Sequence, residues 1–184
     1  LFINVTCGIA IIGVASPLLQ EVLGVTALVA AAAVGLMGIF NGAGRIIWAS
    51  LSDYLTRPVV YVIFFATQAV AFYMLPSIKE IILFQVVLYF IMTCYGGGFA
   101  SIPAYIGDIF GTKELGAIHG YILTAWAAAG LVGPLIISMV KDKTGSYSET
   151  LYVFSGFFVV ALVVSILMVI NIKSIKKRKQ KVHH

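Results

Sequence analysis

Residues Ala27 to Leu51 read ALVAAAAVGLMGIFNGAGRIIWASL, a run whose only charge is Arg45. A run of this length and composition crosses a bilayer as one helix, which needs roughly 17 to 25 mostly apolar residues. Asp53 marks where that helix leaves the membrane. Arg45 sits eight residues before Asp53, which at about 1.5 Å rise per residue sets the arginine roughly 12 Å deep. In an apolar slab about 30 Å thick that is close to the midplane. An arginine there costs at least ~2.5 kcal/mol on insertion scales, and more against lipid. Its guanidinium is expected to face a water-filled cavity, where it can bind an anion. Pairing to a buried carboxylate or to backbone carbonyls, for structure alone, is the alternative.

The rest of the chain repeats the pattern around this helix. With 61% hydrophobic and 10% charged residues and a mean hydropathy of +1.05, the chain is excluded from the ordinary soluble domains. Long stretches with few or no charges cover 2–19, 27–51, 58–76, 81–103, 119–140 and 151–172, and a basic tail follows over 173–184. Outer-membrane strands would alternate polar and apolar residues over about ten positions, and these stretches do not. The expectation is an all-α membrane protein of six transmembrane helices.

Basic residues set the orientation. With the tail in the cytoplasm, Arg57, Lys113, Lys173, Lys176, Lys177, Arg178, Lys179 and Lys181 lie inside, and Lys79, Lys141 and Lys143 lie outside. Eight against three puts both ends of this segment in the cytoplasm, with the plasma (inner) membrane as the expected location. The tail cluster is an orientation signal and a weak contact for anionic lipid rather than a nucleic-acid patch. The chain opens inside a spanning stretch, without an initiator methionine or a signal-peptide pattern, so a segment of a longer protein is expected. Cys7 and Cys94 fall in apolar spans and behave as small hydrophobes. No cofactor is implied, and neither is a metal by the adjacent His183 and His184.

Glycines punctuate the helices. Gly35, Gly38 and Gly42 share a face of the second span, and Ala125, Ala129 and Gly133 share one in the fifth; both patterns let backbones approach closely. The run from Tyr95 through Gly96, Gly97 and Gly98 to Phe99, followed by Pro103, weakens the fourth span. Gly130 to Pro134 weakens the fifth. Such breakers persist where neighbours or a cavity satisfy the freed backbone. Gly97 and Gly130 are therefore candidate gating bends, with tight packing as the equal alternative.

Between the second and third spans the loop runs from Trp48 through Ser52, Asp53, Tyr54, Leu55 and Thr56 to Arg57. It resembles the cytoplasmic-loop signature of the major facilitator superfamily, with an acid and a base at similar spacing. Ala49 and Thr56 stand where that signature has glycines, and Tyr54 and Pro58 where it has basic residues. Two longer stretches sharpen the resemblance. Asn41-Gly42-Ala43-Gly44-Arg45 through Trp48, and Pro103 to Lys113 continuing through Gly116, His119, Gly120 and Thr124 to Trp126, are similar to the oxalate/formate antiporter family of that superfamily, as is Asn4 to Glu21.

The resemblance covers essentially the whole chain and matches the C-terminal six-helix half of that fold. It implies secondary active transport of small carboxylates by alternating access, completed by an N-terminal six-helix half. Arg45 matches a substrate-binding arginine of the family. Asn41, one turn away on the same face, and Trp126 join it as candidate substrate-binding residues. Asp53 and Arg57 are implied to favour one conformation rather than to touch substrate. The oxalate-exchanging branch also carries a lysine in the eleventh helix, and the stretch 119–140 has none, so a monocarboxylate such as lactate or formate is favoured over a dicarboxylate. The neighbouring monocarboxylate transporters place a proton-coupling aspartate four residues before the arginine, where this chain has Asn41. Coupling then falls to the other half or to His119, since histidine titrates in the physiological range; His119 can equally serve as a helix-start hydrogen-bonding residue.

Two other classes share some of these features. An anion channel would share the arginine but would show a ring of pore-lining charge. A membrane enzyme needs clustered acids, histidines or cysteines, whereas Glu21, Asp53, Glu80, Asp108, Glu114, Asp142 and Glu149 all fall at or outside the membrane boundaries. An enzyme is not expected.

Overall fold

The computed structural model describes residues 1–182, apart from the side chains of 173 and 175–182. The side chains of Lys173, Lys176, Lys177, Arg178, Lys179 and Lys181, and the whole of His183 and His184, therefore lie outside what is described. The described chain is helical throughout: α1 Phe2–Leu23, α2 Ala27–Leu55, α3 Arg57–Met74 with a 3-10 turn over Leu75–Ser77, α4 Ile81–Ala100, α5 Ile102–Phe110, α6 Leu115–Thr144 and α7 Ser148–Val182. Six spans in it are long and apolar enough to cross a membrane, α4 and α5 together forming the fourth.

Local chemistry sets the helix ends. Thr26 Oγ1 accepts from Val29 N at 3.4 Å and opens α2. Glu80 caps α4 through Ile82 N and Leu83 N, satisfying amides that a helix start leaves free. Gly24 and Gly145 end α1 and α6 in the left-handed region, at φ 66° and 74°, which glycine adopts without Cβ strain. The turn between α2 and α3 does the same with a threonine: Thr56 sits at φ 71° and ψ 140°, a region that costs side-chain-bearing residues about 1–3 kcal/mol.

The helices pack in three pairs. In α2 and α4, which run parallel, Phe40 stacks on Tyr89 with ring centroids 4.6 Å apart, Gly44 lies against the Thr93 backbone, and Trp48 covers Gly97. Each step advances four residues on both helices, so one face of each stays in contact. α1 and α6 also run parallel, and a carbon added to Gly133 would lie 2.5 Å from the Thr6 carbonyl. α3 and α7 run antiparallel and pair through aromatic rings, Phe72 with Phe158 at 5.3 Å and Phe65 with Phe158 at 6.1 Å. Ser155 Oγ donates to the Ala69 carbonyl beside them at 2.7 Å.

Burial is uneven among these helices. Only 22% of the α2 span and 17% of the α6 span is buried, against 56% of α1. One side of the bundle, edged by α2 and α6, is left open.

Candidate functional site

Arg45 stands on the open side. Its neighbour Gly44 is buried against α4, while Arg45 itself is exposed. The guanidinium carbon lies 5.7 Å from the centre of the Phe99 ring on α4, a cation–π distance. Phe99 in turn meets Trp126 on α6 edge-on, with centroids 6.4 Å apart. Tyr95, one turn before Phe99, neighbours both Arg45 and Trp126, and its ring packs on Gly8 of α1. Arg45 and Trp126, far apart in sequence, are thus brought to one recess whose walls come from α2, α4 and α6.

Close approach of α2 and α4 builds this recess. A carbon added to Gly96 would collide with the Asn41 carbonyl and come within 3.3 Å of Arg45 Cγ. Asn41 is partly exposed on the same helix, one turn from Arg45. Trp48, one turn further along, turns inward instead: its indole N–H donates to Thr93 Oγ1 at 3.2 Å and its ring packs edge-on against Phe64. Among the described residues no carboxylate lies within 4 Å of Arg45. The lysines of α6 are at its far end, where Lys141 pairs with Glu21.

The glycines take other roles than their spacing suggests. Gly35, Gly38 and Gly42 have no heavy atom within 4 Å of where a Cβ would stand, so the close packing expected of that face does not occur within the chain; their face is the open one. Gly44, offset from them, makes the contact. α4 continues unbroken through Gly96, Gly97 and Gly98 and breaks at Ser101, before Pro103. Gly97 is buried under Trp48. α6 is likewise continuous through Gly130, which only touches Ile9 at 3.9 Å, while Gly133 makes the tight contact with α1.

The loop signature forms an ion cluster. Arg57 reaches Asp53 at 2.5 Å and Asp108 of α5 at 3.3 Å, tying the α2–α3 turn to the end of the fourth span. Asp108 was not singled out in the sequence for this role. His119 lies on the α6 face that carries Trp126 two turns on, about 10 Å away along the axis; its Nδ1 is buried without a hydrogen-bond partner. Tyr95 and Phe99 were also missed. Their one signal was a four-residue spacing around the glycines, which gives both rings the same face.

Comparison with known proteins shows the family of the chain. The sequence profile of the Major Facilitator Superfamily matches residues 1–183. The chain is similar to the oxalate:formate antiporter of Oxalobacter formigenes, 30% identical over 113 residues, which is 60% of this chain and 27% of that protein. It is also similar to monocarboxylate transporter 10 of Homo sapiens, 27% identical over 121 residues, 63% of this chain and 23% of that protein. The matched segment thus spans about a quarter of each relative's length.

Proposed function

The chain belongs to the Major Facilitator Superfamily, a family of transporters, and from that premise we propose that it forms one half of a carrier of small carboxylates, with Arg45 as the group that binds the carboxylate. The observation that carries this reading is the position of Arg45: exposed on the open side of a membrane bundle, stacked on Phe99, with no acid of the described chain beside it. A charge so placed is too costly to keep against lipid. The open side is covered by a second six-helix half, and the guanidinium faces the cavity between the two. Its planar pair of donors fits one carboxylate.

Phe99 lies against the Arg45 guanidinium with Tyr95 and Trp126 nearby, and once the second half covers the site these rings help keep water out and so strengthen its attraction for an anion. One cation in the recess favours a monocarboxylate such as lactate or formate. An oxalate-type exchanger would need a second cation from the other half. Asn41 helps orient the bound anion through its amide. Asp53 and Arg57 bias the carrier between its two conformations, and His119 is the titratable group best placed to couple protons.

Labelled lactate, formate and oxalate uptake into proteoliposomes holding the complete carrier tests this reading. Saturable uptake of a monocarboxylate, accelerated by unlabelled substrate inside, is expected. Oxalate taken up in preference would establish the dicarboxylate exchanger. Uptake that does not saturate and shows no counterflow would establish a channel.

A further inference from the structure

Three polar side chains in the apolar middle of the bundle converge on one stretch of α4. Asn4 of α1 and Gln68 of α3 are each 1% exposed, and Tyr61 of α3 is 4% exposed. Gln68 Nε2 donates to Asn4 Oδ1 at 3.0 Å, Asn4 Nδ2 donates to the Tyr95 carbonyl at 3.4 Å, and the Tyr61 hydroxyl donates to the Gly98 carbonyl. Apolar side chains of similar size could fill the same space without needing partners.

That stretch is the wall of the Arg45 recess. Tyr95 and Phe99 flank three glycines that have no side chains with which to anchor themselves. The helical ladder also fails just beyond: the Phe99 carbonyl would pair with residue 103, a proline with no N–H. Ser101 N and Oγ both turn back to the Gly97 carbonyl, at 3.0 and 2.8 Å. Asn4 Nδ2 itself stands 2.5 Å from where a carbon on Gly98 would be. At this point hydrogen bonds reaching in from α1 and α3 add to the close contact of α2 in locating α4.

We infer that Asn4, Gln68 and Tyr61 are positioning residues for the anion site, holding the α4 glycine segment so that Tyr95 and Phe99 stand against Arg45. The inference rests on the carboxylate-carrier reading. Asn4 and Tyr61 act on the α4 backbone and Gln68 holds Asn4, so their loss loosens the recess without removing the charge that attracts the substrate. Substrate affinity changes; turnover does not.

The test is uptake of labelled lactate and formate by the complete carrier in proteoliposomes, for the wild type, Arg45→Ala, Tyr61→Phe, Gln68→Met and Gln68→Glu. Tyr61→Phe removes one hydroxyl, and Gln68→Met keeps the volume without the donor. Each is expected to raise KM about fivefold, the size of one ordinary hydrogen bond, with kcat changed by less than about twofold. Gln68→Glu, protonated in apolar surroundings, keeps a donor for Asn4 Oδ1 and is expected to bring KM back toward the wild type. A merely structural role would reduce folded carrier, and with it the maximal rate, at constant KM. Wild-type KM in Tyr61→Phe and Gln68→Met, or a fall in maximal rate alone, overturns the inference. If Gln68→Met yields no folded carrier, Tyr61→Phe decides. Arg45→Ala transporting with wild-type KM, or a wild type with no saturable uptake, instead overturns the carrier reading and the inference with it.

Discussion

Arg45 gains its meaning from what surrounds it. A lysine in its place keeps the charge but loses the planar donor pair and the weakly hydrated surface that stacks on Phe99. Arg45→Lys should raise KM for the transported carboxylate about tenfold, the worth of about 1.4 kcal/mol; an unchanged KM would mean that the guanidinium geometry is not used. Asp53, 62% exposed and bound to Arg57, lies outside the recess. Asp53→Asn should slow turnover at constant substrate affinity, read from equilibrium binding beside uptake rates. Thr56 offers a different kind of test. It occupies a glycine-type conformation at the very place where the superfamily signature carries a glycine, so Thr56→Gly should relieve about 1 kcal/mol of strain. The melting temperature of the purified carrier should rise by a few degrees, and a fall would contradict the strained turn. Arg45 could be read from sequence because a lone charge in an apolar run is conspicuous. Tyr95 and Phe99 could not, because an aromatic residue in a membrane span is ordinary until its neighbours are known.

Among the helices, the number and class of spans followed from apolar length alone. The packing faces did not. Small residues four apart mark where a backbone can approach another, yet Gly38 and Gly42 face open space while Gly44 meets Thr93; which side finds a partner depends on how all the helices are arranged. The α4 break shows the same limit. Three consecutive glycines remain helical because Asn41, Trp48 and Asn4 press on them, whereas Pro103 removes a donor that no packing restores. Gly44→Val should therefore push α2 off α4 and cost about 3 kcal/mol or more, since the opposing atoms are rigid backbone. Gly156→Val on α7, with nothing within 4 Å, should be tolerated. Retention of monodisperse carrier after heating distinguishes the two, and equal survival would contradict the tight α2–α4 contact.

Taken whole, the bundle leaves α2 and α6 the least covered of its spans, and Arg45 stands exposed on that side. In the proposed carrier a second half would supply a lid over the charge and the far wall of a cavity. Expressed alone, these residues should insert into the membrane without transporting, and co-expression with the other half should restore uptake. Saturable uptake by the segment alone would favour a pair of identical halves, with two copies of Arg45 across one cavity. The most direct measurement compares labelled lactate and formate uptake by proteoliposomes holding equal amounts of folded wild-type and Arg45→Ala carrier. Saturable uptake by the wild type and none above empty liposomes by Arg45→Ala is the predicted result; normal uptake by Arg45→Ala would contradict the assignment of Arg45 as the carboxylate-binding group.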